Sequence, residues 1–158
     1  MSNICRASII VAAVIEQGGR FLMVEERMEG RLCINQPAGH LEPGESFEQG
    51  VIREAREESG YDFYPSALVG AYLMSYQLEN GKLSNYLRFA FTGTLGAQHA
   101  GPLDPDIEGT VWMTHKEILA NRHRHRSELV LPCIEDYLAG VRVPLSFVSL
   151  RTIKQGVR

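Results

Sequence analysis

Three glutamates at one spacing carry the clearest chemical signal in the sequence: Glu54, Glu57 and Glu58. Separations of three and four residues place them on one face of a helix, where like charges repel one another. Glu57 and Glu58 also fall in the predicted last turn, where the helix dipole disfavours anions, and no lysine lies among them. A hard divalent cation such as Mg²⁺, which takes oxygen ligands, is the simplest compensation. The alternative is a solvated acidic face, the usual explanation for an isolated cluster of this kind.

The residues around the glutamates predict a loop followed by a helix. Three turn residues argue against regular structure before Glu45: Gly39, Pro43 and Gly44. Ser46 followed by Gln49 is typical of a capping box, and Gly60 is typical of the left-handed residue that ends a helix. We therefore predict a helix over residues 47–59.

The segment 39–61 resembles the Nudix box, whose pattern is G-x5-E-x7-R-E-U-x-E-E-x-G-U, with U an apolar residue. The matching residues are Gly39, Glu45, Arg53, Glu54, Ala55, Glu57, Glu58, Gly60 and Tyr61. Tyr61 is the one mild departure, because an aliphatic residue is usual there. The resemblance implies a metal-dependent hydrolase of nucleoside diphosphates linked to another group X. It also implies the Nudix fold, an α+β or α/β architecture with a mixed sheet sandwiched between helices.

The resemblance also implies roles for individual residues. The three glutamates correspond to the metal-binding glutamates of the family, and the backbone carbonyl of Ala38 corresponds to a further ligand. Glu45 and Arg53 correspond to a structural ion pair that ties the loop to the helix. Mg²⁺ is the implied cofactor, with Mn²⁺ as a substitute.

Hydrolysis by such a site needs a nucleophilic water and a group that accepts its proton. A bound metal ion lowers the pKa of water, and a carboxylate within reach accepts the proton. We assign that role to Glu54, with Glu57 and Glu58 as the principal metal ligands. Glu108, which follows a loop and precedes a strand, is a second candidate for ligand or base. Two aspartates of that loop are explained more simply by solubility: Asp104 and Asp106.

Several polar residues outside the box are candidates for substrate contact. Arg88 lies in an apolar strand, so it either faces solvent or points into a cleft where it would clamp phosphate. Asn35 and Gln36 either bind a polar edge of the substrate or satisfy backbone groups of their loop. The basic run 122–126, Arg-His-Arg-His-Arg, would attract phosphates, although a solvated link between helices is the simpler explanation.

The flanking segments predict strands before and after the central helix. Strands are predicted over residues 8–15, 20–26, 32–34, 68–78, 82–95 and 109–113, with a hairpin turn at Asn80-Gly81 and a pattern break at Pro65. Residues 93–106 are predicted to be a loop. Thr114 opens a short helix, Ser127 caps a last helix ending near Gly140, and 141–150 form a short strand or extended tail.

Length and composition favour one ordinary globular domain spanning residues 1–158. Apolar residues make up 44% of the chain and charged residues 22%, and the net charge is −3. That charge argues against long nucleic acid as a partner and favours a small nucleotide or pyrophosphate substrate. Three widely spaced cysteines favour a reducing cytoplasm, and the apolar run 9–15 is too short to span a membrane. We expect a monomer or homodimer.

A closer resemblance, to the NudJ-type phosphatases within the Nudix superfamily, covers most of the chain. It is carried by residues 35–42, 87–89, 106–107, Trp112 and 126–127. It implies hydrolysis of nucleoside tri- and diphosphates and of thiamine-pathway pyrophosphates, with release of orthophosphate. Ile34 stands where that subgroup tends to carry tryptophan, which removes a stacking platform.

Three other functions remain open from the sequence. One is an ADP-ribose or dinucleotide pyrophosphatase, which would release a nucleoside monophosphate. Another is a non-catalytic nucleotide-sensing domain, which predicts eroded box glutamates or an appended DNA-binding domain, and this sequence shows neither. The third is an isomerase of allylic diphosphates, for which Cys33 alone does not supply the extra catalytic residues.

Overall fold

The architecture is a pair of β-sheets with three α-helices, given by a computed structural model that describes residues 5–148. The strands are β1 (Ala7–Val14), β2 (Glu16–Gln17), β3 (Arg20–Met28), β4 (Arg31–Asn35), β5 (Ala38–His40), β6 (Tyr61–Gln77), β7 (Leu83–Gln98), β8 (Ile107–Thr114) and β9 (Val143–Pro144). The helices are α1 (Phe47–Ser59), α2 (His115–Ala120) and α3 (Val130–Leu138), with 3₁₀ turns at Arg122–Arg124 and Leu145–Phe147.

The larger sheet has the strand order β5-β1-β7-β6-β9. Its β1 and β7 are parallel and its other neighbours are antiparallel, so the sheet is mixed. In the smaller sheet β3 pairs antiparallel with β2, β4 and β8. Two apolar clusters fill the interior, one containing α1 residues such as Val51 and the other containing α3 residues such as Ile134. This confirms the predicted α+β class, with a mixed sheet between helices.

Strand β1 shows how the alternation of the sequence separates the two clusters. Val11 and Ala13 belong to the cluster that contains α1, whereas Ala12 and Val14 belong to the cluster that contains α3. All four residues are buried, as expected for a strand covered on both faces. The sheet is therefore a rigid support, and β5 at its edge lies next to α1.

Helix α1 begins and ends as the sequence predicts. Ser46 accepts a hydrogen bond from the Gln49 amide while the Gln49 side chain accepts one from the Ser46 amide, which completes the capping box. Gly60 adopts φ 75°, a left-handed conformation that suits glycine and terminates the helix. Buried side chains on one face, among them Val51 and Ala55, fix the rotation of α1 about its axis. The glutamates are thereby held on a neighbouring face.

Two predictions near the box are wrong. Residues 38–40 are not a loop, because they form β5 and pair antiparallel with β1. Pro65 does not end a strand, because it lies inside β6 next to an irregularity between Pro65 and Ala67. A bulge tolerates proline, which cannot donate to the ladder.

The C-terminal part also departs from expectation. Strand β7 extends to Gln98, well into the segment predicted to be a loop. Helix α3 has Leu129 at its N-cap without a side-chain hydrogen bond, so Ser127 does not cap it, and Pro132 lies in its first turn. Among the described residues of the predicted tail, only the two-residue β9 is a strand. Residues 149–150 lie outside the described residues.

Candidate active site

The guanidinium of Arg53 is the centre of the hydrogen-bond network on α1. Its Nε and Nη2 lie 2.7 and 3.0 Å from the two carboxylate oxygens of Glu45, so the pair expected from the sequence is present and bidentate. Its Nη1 also lies 2.6 Å from Glu54 Oε1 and 3.0 Å from Glu57 Oε2. Nη2 donates to the His40 carbonyl at 3.0 Å, which ties α1 to β5.

These contacts correct the premise that the glutamate cluster has no local cation. No lysine lies among the glutamates, and the resemblance implies Arg53 only as a partner of Glu45. Arg53 neutralises part of the charge on Glu54 and Glu57. Glu58 forms no such ion pair within residues 5–148, and its Oε2 accepts the Ala38 N–H at 2.8 Å.

Burial sets the three glutamates apart. Glu54 is 6% exposed and Glu58 is 8% exposed, whereas the Glu57 side chain is 41% exposed. Burial raises the pKa of Glu58 to about 8; the Ala38 N–H opposes this shift and the charge of Glu54 adds to it. Burial also raises the pKa of Glu54, against the lowering effect of Arg53. Glu58 therefore favours its protonated form at neutral pH in the absence of a cation.

Two further carboxylates were not singled out as site residues from the sequence. The charges of Glu26 on β3 and of Asp104 both raise the pKa of Glu58. Glu26 Oε1 is buried without a hydrogen-bond partner among residues 5–148, and Arg126 Nε lies 3.5 Å from it in an ion pair. Period-two alternation after the buried Val24 would have placed Glu26 on an inward face. The Asp104 N–H donates to the Glu57 carbonyl at 3.0 Å, which fastens its loop to α1.

Glu108 does not join this group. Its carboxylate forms an ion pair with Arg27, with 2.6 Å between Glu108 Oε1 and Arg27 Nε, and both side chains are about half exposed. The geometry gives no support to Glu108 as a metal ligand or base. Asp104, from the same loop, does affect the glutamates, because its negative charge raises the pKa of both Glu54 and Glu58.

The donor chemistry fits a hard divalent cation, although a complete ligand set is not assembled. Within residues 5–148 no group of three or more His, Cys, Asp or Glu side chains is arranged to hold a metal ion. The contacts described above engage one oxygen each of Glu54, Glu57 and Glu58. Glu26 Oε1 has no hydrogen bond among the described residues, and its ion pair with Arg126 is 3.5 Å long. Together with the raised pKa of Glu58, it marks a place where a cation would relieve unfavourable charge.

A cleft of about 630 Å³ opens beside β5. Ala38, Gly39 and His40 form one wall, and the basic run forms another through Arg122, His123, His125 and Arg126. The run links α2 to α3 and its residues are exposed or half-buried, as the simpler explanation predicts, and four of them also line the cleft. Among the described residues that line the cleft, the side chains with a fixed positive charge are arginines.

Arg88 points into this cleft rather than to bulk solvent, which decides between the two predicted orientations. It is 5% exposed and donates to Gln36 Oε1 at 3.1 Å and to Asn35 Oδ1 at 3.3 Å. Its Nε is buried without a hydrogen-bond partner among the described residues. Gln36 is itself buried and donates to the Val130 carbonyl at 2.7 Å, so it links Arg88 to α3. Asn35 lines the cleft, whereas Gln36 serves to position Arg88.

The Nudix domain profile matches residues 6–132, which include the glutamate cluster and Arg88. The chain belongs to the Nudix family. It is 35% identical to Phosphatase NudJ of Escherichia coli over 142 residues, and this alignment covers 89% of this chain and 90% of that protein. Among solved structures it is similar to a NUDIX hydrolase from Nitrosomonas europaea, with 43% identity, a TM-score of 0.84, and coverage of 94% of this chain and 98% of the other.

A more distant neighbour is the NUDIX domain of Shewanella oneidensis NrtR, solved in complex with ADP ribose. It has 15% identity and a TM-score of 0.67, over 87% of this chain and 90% of the other, so the likeness concerns the fold alone.

The protein is a Nudix hydrolase, which confirms the predicted enzyme class, and Nudix hydrolases generally use a divalent metal. No helix within residues 5–148 is long and apolar enough to cross a membrane.

Gly39→Ala should lower the activity of this Nudix hydrolase at least about 10-fold. A Cβ at residue 39 would overlap the Glu54 carboxylate, so Glu54 must move or β5 must shift. Gly109→Ala is the matched control, because a Cβ there meets no atom within 4 Å. Steady-state rates and thermal unfolding of both variants would check this prediction. A fully active Gly39→Ala protein would mean that the observed position of Glu54 is not required.

The metal-free protein should lose stability as the pH rises from about 5 to about 8.5. Because the pKa of Glu58 is raised to about 8 in the fold, the folded state binds more protons than the unfolded state in this window, and unfolding becomes easier as the pH rises. Urea unfolding in EDTA at both pH values should differ by a few kcal/mol. Glu58→Gln should remove most of that difference, and parallel behaviour of the two proteins would contradict the assignment.

Proposed function

We propose that this Nudix hydrolase is a Mg²⁺-dependent phosphatase of nucleoside tri- and diphosphates and of thiamine-pathway pyrophosphates, which releases orthophosphate. The observation that carries the proposal is one shared cleft edge. Buried carboxylates stand behind Ala38 and Gly39, and the buried cation Arg88 faces the same cleft. A phosphate chain requires neutralisation by cations. A metal ion held by the carboxylates would act at one end of the chain, and the guanidinium would bind along its length.

Glu57 and Glu58 would hold the metal ion, with the Ala38 carbonyl as a further ligand. Glu26 and Asp104 supply additional negative charge, and we assign Asp104 the part first given to Glu108. Mg²⁺ is the proposed ion, with Mn²⁺ as a substitute. When bound, the ion screens the charge of the phosphates and lowers the pKa of the attacking water.

Glu54 is proposed to accept the proton of that water. Its burial raises its pKa toward the working pH, which suits a general base better than an ordinary surface carboxylate. Arg53 contacts one oxygen of Glu54 and fixes its orientation. Arg53 and Glu45 are positioning residues, because their contacts lie within the α1 network.

Arg88 is proposed to bind the phosphate chain. Amide oxygens of Asn35 and Gln36 orient its guanidinium without neutralising it, so its charge remains available to an anion. Arg31 and Arg126 line the same cleft and add to its attraction for phosphates. Arg88→Lys should raise the KM for nucleotides about 10-fold, because lysine cannot reproduce the held fork of donors.

The test is a panel assay with the purified protein and low millimolar Mg²⁺. Nucleoside tri- and diphosphates, thiamine pyrophosphate, ADP-ribose and a dinucleotide are supplied, and orthophosphate and nucleoside monophosphate are measured separately. Release of orthophosphate from the nucleoside tri- and diphosphates and from thiamine pyrophosphate supports the proposal. Nucleoside monophosphate from ADP-ribose alone would identify a pyrophosphatase instead, and tight binding without any product would identify a nucleotide sensor.

The setting of the enzyme also remains a proposal. Cys33 and Cys133 are buried and unpaired, which is compatible with the reducing cytoplasm expected from the sequence. We propose a single domain over residues 1–158 and a monomer or homodimer. Size-exclusion chromatography with light scattering would measure the oligomeric state.

A further inference from the structure

Two tyrosines line the cleft on the hairpin formed by β6 and β7. The rings of Tyr76 and Tyr86 are stacked, with centroids 5.5 Å apart and an angle of 11° between their planes. Their hydroxyl groups lie 2.9 Å apart and share a hydrogen bond, which holds the two rings in register. Tyr76 is 38% exposed and Tyr86 is half-buried, so the pair presents aromatic surface to the cleft.

Strand register places this pair at a defined distance from the glutamates. Ala90 stands in the same row of the sheet as Ala38, because Ala12 pairs with both. Arg88 and Tyr86 follow on the same face of β7, two and four residues away. At about 3.3 Å per residue the Tyr86 row lies about 13 Å from the Ala38 row, with Arg88 midway between them. Ala38 is the residue whose N–H binds Glu58.

This order matches the parts of one class of molecule. The buried carboxylates of Glu54 and Glu58 stand behind the Ala38–Gly39 edge of the cleft, and the buried Arg88 and then the aromatic rings line the cleft beyond that edge. A heterocyclic ring joined through a short linker to two or three phosphates has the same sequence of groups. A ring-free polyphosphate would engage only the first two.

Ile34 does not contribute to this aromatic surface, because it is fully buried in the cluster that contains α3. Its carbonyl accepts the Arg126 N–H at 2.9 Å, so it supports the basic wall from behind. Ile34 offers no surface for stacking, whereas Tyr76 and Tyr86 do.

We propose that Tyr76 and Tyr86 form a stacking platform for an aromatic heterocycle of the substrate, and that the enzyme thereby selects ring-bearing di- and triphosphates over ring-free ones. This inference rests on the proposed phosphatase function of the same cleft. Stacking of one base on aromatic side chains contributes a factor of roughly 5 to 150 in affinity. The platform acts on binding and lies far from the glutamates, so it affects KM more than kcat.

The test replaces both rings by leucine, as Tyr76→Leu/Tyr86→Leu, and compares three substrates. ADP and thiamine pyrophosphate carry different rings, and inorganic tripolyphosphate carries none. The KM for at least one ring-bearing substrate should rise about 10-fold or more with little change in kcat, while kcat/KM for tripolyphosphate stays within about 2-fold. The substrate whose KM moves identifies whether a nucleobase or a thiamine ring uses the platform.

Two control variants separate stacking from folding. Tyr76→Phe/Tyr86→Phe keeps both rings, so it should retain most of the affinity that the leucine variant loses. Tyr64→Leu removes an exposed tyrosine of β6 that does not line the cleft, and it should leave every KM unchanged. Equal losses for tripolyphosphate and for both ring-bearing substrates would overturn the proposal, as would unchanged KM values for both rings.

Binding measured by calorimetry, with Ca²⁺ in place of Mg²⁺, distinguishes failure of this proposal from failure of the proposed function. A wild-type protein that hydrolyses nothing in the panel would overturn the phosphatase function. Weaker binding of ADP or thiamine pyrophosphate to the leucine variant, with tripolyphosphate binding unchanged, would still support the platform. Equal binding of every ligand to both proteins would overturn it.

Discussion

Glu58→Gln is expected to lower turnover at low millimolar Mg²⁺ by roughly 100-fold or more while the fold remains intact. Glu58 is buried, and its contact from the chain is the neutral Ala38 N–H rather than the Arg53 guanidinium. Substitution by glutamine removes the charge that would hold the metal ion. The loss should appear mainly in kcat, measured as orthophosphate release.

The fold should survive because glutamine keeps the shape of the side chain and a carbonyl oxygen. That oxygen can still accept the Ala38 N–H, which in the wild type lies 2.8 Å from Glu58 Oε2. Removal of a buried carboxyl with a raised pKa also removes a source of destabilisation above neutral pH. Circular dichroism and thermal unfolding of the metal-free variant should therefore match or exceed the wild type at pH 8.

Two related variants calibrate the result. Glu57→Gln should lose less activity, because Glu57 is more exposed and already shares Arg53. Glu79→Gln, in the exposed turn of the β6–β7 hairpin, changes the same charge outside the cleft and should be fully active. Near-normal turnover by a folded Glu58→Gln protein would falsify the role assigned to Glu58.

Helix α1 could be predicted to the residue because its signals are local. The capping box at Ser46 and the left-handed Gly60 act through backbone hydrogen bonds within a few residues. The face of the glutamates follows from helical periodicity. None of these features depends on the rest of the chain.

The features that were missed all depend on contacts between distant segments. β5 exists because β1 supplies its hydrogen bonds, and the basic run 122–126 reaches the cleft partly because the Arg126 N–H donates to Ile34. The inward position of Glu26 depends on β3 being covered. Spacing along the sequence carries no information on such pairings, so the shared face of the glutamates was predicted and the assembly of the cleft was not.

The position of Arg53 in the network leads to a prediction on stability. Arg53→Met should destabilise the protein by about 3 kcal/mol, because it leaves Glu45 and Glu54 largely buried without their cation. Arg53→Lys should recover only part of this loss, since an ammonium group cannot engage Glu45 in a bidentate pair while also reaching Glu54 and the His40 carbonyl. Urea unfolding at pH 7 without divalent cations measures both variants.

Arg56→Met is the matched control on the same helix. Arg56 pairs with Asp62 at an exposed site, where solvent screens the charges, so its removal should cost much less. Equal stability losses in Arg53→Met and Arg56→Met would contradict the central position of Arg53. In that case, a double-mutant cycle of Arg53→Met with Glu45→Gln should also give a coupling energy near zero. A central Arg53 should instead give a clearly favourable coupling energy.

The pH dependence of this loss has a definite sign. The hydrogen bond from Arg53 holds the pKa of Glu45 below its usual value of 4.5, so the pair stabilises the fold above that pH and the effect is lost as the pH falls through the lowered pKa. The stability difference between wild type and Arg53→Met should shrink in acid for this reason. Glu58 has the opposite dependence, because its raised pKa weakens the metal-free fold as the pH rises toward about 8. Arg53 neutralises Glu45 and part of the charge on Glu54 and Glu57, whereas Glu58 depends on the proposed cation, and removal of either cation should be felt most strongly on the alkaline side.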